Sequence, residues 1–164
     1  MLGGCCGTHA GHIRALAELA AASKPRVPVA RSYASGLGRS ALSGIDYLEI
    51  TDEMRPLIVG ERTNVIGSKK FKTLIIDEKF EEASEIARSQ IKSGAQVVDV
   101  CLANPDRDEL EDMKRFLEFT VKKVRVPLMI DSTDEKVIAE ALTYCQGKAI
   151  INSVNLEDGE ERFE

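Results

Sequence analysis

The sequence lacks the long apolar segments that would tie it to a membrane. No run of hydrophobic residues approaches the roughly 20 needed to span a bilayer. The first twenty residues contain Glu18 and both histidines of the chain, rather than the uninterrupted apolar core of a signal peptide. We therefore expect a cytoplasmic protein without a membrane partner.

The sequence has fewer positively than negatively charged residues, and it lacks a phosphate-binding motif after its first predicted strand. The chain has 22 Lys and Arg against 27 Asp and Glu, for a formal net charge of -5. An acidic chain lacks the clustered cations that bind nucleic acid, so we expect no nucleic-acid partner. The segment "GERTNVIGS" after the first predicted strand has neither a G-x-G-x-x-G pattern nor a P-loop lysine, which disfavours nucleotide binding.

Cysteine is scarce, with four residues at positions 5, 6, 101 and 145. An acidic chain without an export signal predicts reduced thiols rather than disulfides. Cys5 and Cys6 are adjacent and are poorly placed to bond each other. Cys101 and Cys145 fall within apolar patterns and are predicted to pack in the core.

The residues that are present predict a short N-terminal piece, a linker and one main domain. Apolar residues recur at helical spacing between positions 8 and 22, which predicts a helix. The following stretch is rich in Pro, Gly and Ser and has no apolar face of either period. We place the N-terminal piece at 1–23, the linker at 24–55 and the main domain at 56–164.

The main domain alternates buried strands with amphipathic helices. Four short runs rich in β-branched residues are typical of buried parallel strands: 56–60, 95–101, 126–131 and 148–153. This alternation predicts right-handed βα units in a parallel sheet, and hence the α/β class. Composition alone leaves open whether the sheet is doubly wound or forms a barrel.

Helix ends can be predicted between the strands. Asp77 is predicted to cap a helix that stops at Gly94. A second helix is expected over about 108–123, and Ser132 with a glutamate three residues later predicts a capping box for the third. A fourth helix is predicted to begin near Asp158.

Polar side chains follow each predicted strand. Ligands of βα sheets bind at the carboxyl ends of the strands, so these residues are expected to share one rim. Carboxylates and carboxamides there suit a neutral heterocycle rich in N–H and C=O groups. The residues are Glu61, Arg62, Asn64, Asp99, Asn104, Asp131, Ser132, Asn152 and Asn155.

Structural roles for three of these residues remain open from the sequence. Asp131 could cap the third helix, and Asn152 could form a turn. Asp99 lies within a buried strand and needs a partner, which could be Arg62 rather than a ligand.

Four stretches in this order resemble the pterin-binding domain of cobalamin-dependent methionine synthases: "VGERTNVIGSKKFKTLI", "GAQVVDVCLANPDRDEL", "PLMIDST" and "GKAIINSVNLEDGEERF". That domain is a (β/α)8 TIM barrel, so the resemblance implies a partial barrel of about four βα units. It also implies that Asp131 and Asn152 hydrogen-bond the pterin ring, with Asp99 and Asn64 on the same rim.

The N-terminal stretch "GGCCGTHAGHIRAL" resembles the end of the homocysteine-binding domain of the same family. A paired-cysteine motif there supplies two thiolate ligands to zinc, which implies that Cys5 and Cys6 are metal ligands. The family's third cysteine has no counterpart in this chain, so the resemblance implies an incomplete zinc site. His12 is expected to be an exposed helix residue rather than a substitute ligand.

The resemblance implies methyl transfer from 5-methyltetrahydrofolate to cob(I)alamin on a separate cobalamin-binding module, and onward to homocysteine in methionine synthesis. Because the sequence ends after about four βα units, the chain alone is expected to be inactive. Two alternatives are a pterin-dependent methyltransferase that serves a corrinoid iron–sulfur protein, and a non-catalytic truncated product.

Overall fold

The computed structural model describes residues 7–24 and 40–155. The chain divides into two compact units, Met1–Gly38 and Arg39–Glu164. The predicted zinc ligands Cys5 and Cys6 and the helix predicted near Asp158 lie outside the described residues. None of the helices in the two described ranges has the length and apolarity needed to cross a bilayer.

The described part of the first unit is a single helix, α1 (Ala10–Ala22), as the spacing of its apolar residues predicts. His9 caps the helix, since its side chain accepts a hydrogen bond from the main-chain N–H of Gly11. His12 is exposed and accepts a hydrogen bond from the His9 N–H, so it is a surface helix residue as expected.

The second unit contains all the strands of the described residues. Its elements are β1 (Ala41–Ser43), β2 (Tyr47–Glu49), a 3-10 turn (Asp52–Met54), β3 (Val59–Gly60), α2 (Lys69–Ile76), α3 (Phe80–Lys92), β4 (Val97–Val100), α4 (Glu109–Thr120), β5 (Leu128–Asp131), α5 (Glu135–Tyr144) and β6 (Ile150–Asn152). Strands β1 and β2 form an antiparallel hairpin within the segment predicted as linker. Strands of three residues are too short to show an alternating pattern in sequence.

The parallel sheet has the strand order β3–β4–β5–β6, which is the order along the chain. Alternate strand residues from β4 and β5, namely Val98, Val100, Leu128 and Ile130, are buried in one cluster with side chains from α2 to α5. The helices therefore cover one face of the sheet. Sequential strands with all helices on one side are the arrangement of a (β/α)8 barrel, and the predicted α/β class and partial-barrel fold are confirmed.

The first helix boundary predicted for this domain is wrong. Asp77 ends α2 instead of capping α3, and Glu78 takes a positive φ of 57° between the two helices. Helix α3 begins after Lys79. Helix α2 was not predicted, because its eight residues contain only two that are buried, Phe71 and Ile75.

The predicted capping box of α5 is also wrong, whereas the start of α4 is confirmed. Asp108 caps α4 by accepting from the Glu111 N–H. Asp134 caps α5, since its carboxylate accepts from the N–H groups of Lys136 and Val137. Asp131 therefore does not cap α5, and its carboxylate is available for another role.

Gly44, in the turn between β1 and β2, lies against main-chain carbonyl groups of Arg125 and Val126. A Cβ atom at this position would overlap both carbonyl oxygens. We expect Gly44→Ala to lower the free energy of unfolding by about 1–3 kcal/mol, measured by urea denaturation. In the matched variant Gly67→Ala the new Cβ would meet its nearest atoms at 3.9 Å, an ordinary contact. Equal stability of both variants would contradict the packing of the hairpin turn.

Candidate functional site

Polar residues at the carboxyl ends of β4, β5 and β6 lie on one face of the sheet. Asp131 pairs in register with Asn152, so their side chains point to the same side. Asp99 pairs with Met129, two residues before Asp131, which places both carboxylates on that side as well. This face is opposite the one covered by the helices.

The chain after β3 brings Asn64 to the same rim. Beyond β3 the backbone continues alongside the end of β4, where the Val65 N–H donates to the Cys101 carbonyl at 3.0 Å. The Cys101 N–H donates in turn to the Thr63 carbonyl at 3.1 Å. Asn64 therefore lies directly opposite Cys101, next to the two carboxylates.

The Asn64 side chain bridges the two carboxylates. Its Nδ2 lies 3.3 Å from Oδ2 of Asp99 and 3.3 Å from Oδ2 of Asp131. Its Oδ1 accepts from the N–H groups of Ile66 at 2.9 Å and Gly67 at 3.1 Å. Both ends of the amide are thus engaged, and its orientation is fixed. Asn64 holds the spacing of two acidic side chains from neighbouring strands.

Asp99 is a buried carboxylate with one free oxygen. It is 2% exposed, and its Oδ1 has no hydrogen-bond partner among the described residues. Burial raises the pKa of Asp99 to about 6, although the hydrogen bond from Asn64 opposes that rise. The hydrogen bond to Asp99 comes from Asn64, whereas the main-chain N–H of Arg62 donates to Gln90.

The raised pKa of Asp99 predicts a pH-dependent stability. An aspartate that titrates at 3.8 when unfolded and at about 6 when folded binds more protons in the folded state between these values. The native protein therefore loses stability as the pH rises through that window, by up to about 3 kcal/mol. Asp99→Asn removes this titration. We expect the unfolding free energy of the native sequence, minus that of the variant, to fall between about pH 4 and about pH 7. A constant difference across this range, measured by urea denaturation, would contradict the assignment.

Cys101 faces the rim instead of only packing in the core. It lies two residues after Asp99, directly after the end of β4, and its thiol donates a hydrogen bond to the Asp131 carboxylate. Burial raises the pKa of Cys101 to about 12, so the group remains a protonated donor at neutral pH. The pKa of Asp131 is raised by burial, and the thiol opposes that rise.

Glu109 is a rim residue that the sequence pattern did not indicate. It is the first residue of α4, and its carboxylate accepts a hydrogen bond from the buried Ser132 hydroxyl. Burial raises the pKa of Glu109, with a further contribution from the nearby charges of Asp134 and Asp131. The one feature of the sequence that could have indicated Glu109 as a rim residue is its position at the start of a helix that follows a strand end.

The remaining predicted rim residues differ in exposure. Asn152 is exposed at the end of β6, and its main-chain carbonyl accepts from the Ser132 N–H at 2.9 Å. Asn104 is buried, and its Oδ1 accepts from the Asp106 N–H, which makes it a loop-forming residue. Glu61 is exposed, and its negative charge raises the pKa of both Asp99 and Asp131.

The rim presents hydrogen-bond acceptors rather than a metal centre. Across residues 7–24 and 40–155, no three or more His, Cys, Asp and Glu side chains are grouped to hold a metal ion. The carboxylates of Asp99, Asp131 and Glu109, all with raised pKa values, and the exposed carboxamide of Asn152 can instead bind a planar heterocycle through its N–H and amino groups.

The rim residues fall within a match to a known protein family. A family model described as "Pterin binding enzyme" matches residues 60–164. The match includes the described sheet from the end of β3 to β6 and the residues of the rim.

Proposed function

The chain belongs to the pterin-binding enzymes, and we propose that the rim of Asn64, Asp99, Asp131 and Asn152 binds the pterin ring of 5-methyltetrahydrofolate. The observation that carries this proposal is the shared orientation of Asp131 and Asn152 at paired positions of β5 and β6. A carboxylate there accepts from the amino group and ring N–H of a pterin, while the carboxamide both donates and accepts.

The reaction we propose is transfer of the N5-methyl group to cob(I)alamin. In this reaction the bond between N5 and the methyl carbon would break, N5 would keep its electron pair and gain a proton, and the methyl acceptor would supply the pair for the new bond. Asp131 and Asn152 would fix the ring so that the methyl group faces the acceptor. Hydrogen bonds that strengthen as charge changes on the ring lower the barrier.

We further propose that homocysteine receives the methyl group in a later step of methionine synthesis, and that Cys5 and Cys6 would supply two ligands of a zinc site that remains incomplete in this sequence. Thiolates are suitable zinc ligands, and a bound metal lowers the pKa of a substrate thiol. These residues lie outside the described part of the chain, and the proposal rests on their sequence pattern alone.

Calorimetric titration of the 164-residue chain with 5-methyltetrahydrofolate tests the proposal. We expect a dissociation constant below about 1 mM, which corresponds to more than about 4 kcal/mol of binding free energy. A tetrahydropterin without the tail should compete for the same site. Absence of binding by both compounds would contradict the proposed function.

A further inference from the structure

One extra residue separates the end of β3 from the point where the chain rejoins the end of β4. Gly60 pairs with Val98, and the next parallel pair is Asn64 with Cys101. The first chain therefore advances one residue more than the second between these pairs, which is the pattern of a β-bulge. Bulges are rare between parallel strands, and they often redirect a side chain beside a functional site.

The bulge decides which side chain reaches the rim. Successive strand residues point to opposite faces, so a shift of one residue reverses the face that a side chain occupies. Without the extra residue, Thr63 would pair with Cys101, and Asn64 would point toward the helices. With the bulge, Asn64 bridges Asp99 and Asp131 instead. The bridge between the two carboxylates thus depends on the bulge.

A buried side chain of α3, Gln90, is hydrogen-bonded to the bulge at two points. Its Oε1 accepts from the main-chain N–H of Arg62, and its Nε2 donates to the Thr63 hydroxyl at 3.2 Å. That hydroxyl donates in turn to the main-chain carbonyl of Asp99 in β4. Gln90 therefore ties the bulge to α3, while Thr63 ties it to β4.

The strand before the bulge leaves room for this contact. A Cβ atom at Gly60 would lie 2.7 Å from Oε1 of Gln90, closer than the two atoms can approach. Arg62 lies in the stretch where pairing with β4 is interrupted. Gln90 supplies its N–H with the acceptor that a neighbouring strand provides elsewhere in the sheet.

We propose that Gln90 is a positioning residue of the rim, which together with Thr63 holds the bulge in the register that directs Asn64 between the two carboxylates. Gln90 acts through Asn64 rather than by contact with a ligand. The placement of Asn64 is a property of the chain itself. Its consequence for binding rests on the proposed function, because it takes the pterin ring to occupy the rim.

NMR titration of the Asp99 carboxyl carbon tests the placement of Asn64 without a ligand. The hydrogen bond from Asn64 opposes the rise in the pKa of Asp99 that burial causes. Gln90→Met removes both hydrogen bonds to the bulge at a similar side-chain size. We expect the pKa of Asp99 to rise above about 6, by about one pH unit. The nearby charges of Asp131 and Glu61 are unchanged by this substitution.

Gln96→Met provides the matched control. Gln96 accepts from the main-chain N–H of Ile58 at 3.0 Å, just before β3 and at the end of the strand away from the rim. Its loss removes a main-chain hydrogen bond of the same kind. We expect both glutamine variants to unfold at lower urea concentrations, but only Gln90→Met to change the Asp99 titration. Equal Asp99 titrations in the two variants would overturn the positioning role.

Thr63 offers a second pair of variants that does not depend on the folding of Gln90→Met. Thr63→Ser keeps the hydroxyl and loses a methyl group, so it should lower stability and leave the pKa of Asp99 at about 6. Thr63→Val keeps the shape and loses the hydroxyl, so it should raise that pKa. A rise in both variants, or in neither, would contradict the role of the hydroxyl in holding the bulge.

Calorimetric titration with a tetrahydropterin separates this inference from the proposed function. We expect Gln90→Met to bind about tenfold more weakly than the unaltered chain, and Gln96→Met to bind equally well. Equal binding by all three proteins would overturn the positioning role. Failure of all three to bind would overturn the proposed function, and the Asp99 titration would still decide whether Gln90 positions Asn64.

Discussion

Asp131→Asn is expected to weaken the binding of 5-methyltetrahydrofolate by about tenfold to a hundredfold. The substitution keeps the size of the side chain but replaces a charged acceptor with a neutral amide. A hydrogen bond to a charged group contributes about 1.5–3 kcal/mol, which corresponds to that loss. Isothermal titration calorimetry on the whole chain measures the change directly.

Asp52→Asn provides the matched control. This exposed carboxylate pairs with Arg55, directly after the 3-10 turn, at 3.2 Å. Its loss should leave folate affinity unchanged, and urea denaturation of both variants would show whether either is unfolded. An Asp131→Asn variant that is folded and binds as tightly as the unaltered chain would exclude Asp131 from the site.

Asn64→Asp should be more harmful than Asn64→Ala, although aspartate is nearly the same shape as asparagine. It places a third carboxylate within hydrogen-bond distance of Asp99 and Asp131. Like charges so close cannot all ionise, and the pKa of at least one rises strongly. We expect a loss of folate affinity of at least about tenfold and of unfolding free energy of about 2–3 kcal/mol.

Comparison of the two Asn64 variants separates bridging from packing. If Asn64 only filled space, the aspartate variant would have nearly the folate affinity of the unaltered chain, and the alanine variant would bind folate more weakly. The bridging role predicts the reverse order near neutral pH. It also predicts that the difference in folate affinity between the two variants becomes smaller at acidic pH. Protonation of the carboxyl group introduced by Asn64→Asp restores a hydrogen-bond donor between the two carboxylates. A ratio of the folate affinities of the two variants that does not change with pH would contradict the bridging role of Asn64.

The sequence predicted the sheet better than the short elements around it. Buried strands such as β4 and β5 produce continuous β-branched runs, and those runs lie close to the observed bounds. The β1–β2 hairpin and α2 gave no such signal, since each has too few buried residues for a period to be detected. The strand order β3–β4–β5–β6, which distinguishes a partial barrel from a doubly wound sheet, cannot be obtained from composition.

The placement of the candidate residues at one rim was predicted from the sequence only in part. Position at a strand end was enough to select Asp131 and Asn152, because parallel strands converge at their carboxyl ends. The bridge from Asn64 depends on how the chain bends after β3, and no local pattern encodes that bend. Cys101 was predicted to pack in the core because it lies within an apolar pattern, yet its thiol also donates a hydrogen bond to Asp131 at the rim.

The most direct test is a titration of the ¹⁵N-labelled chain with a tetrahydropterin, followed by NMR. The side-chain amide signals of Asn64 and Asn152 and the main-chain signals of Asp131 and Ser132 should shift together and saturate with one dissociation constant. Shifts confined to α1 or to the β1–β2 hairpin, with the signals of these four residues unchanged, would show that the rim does not bind the pterin.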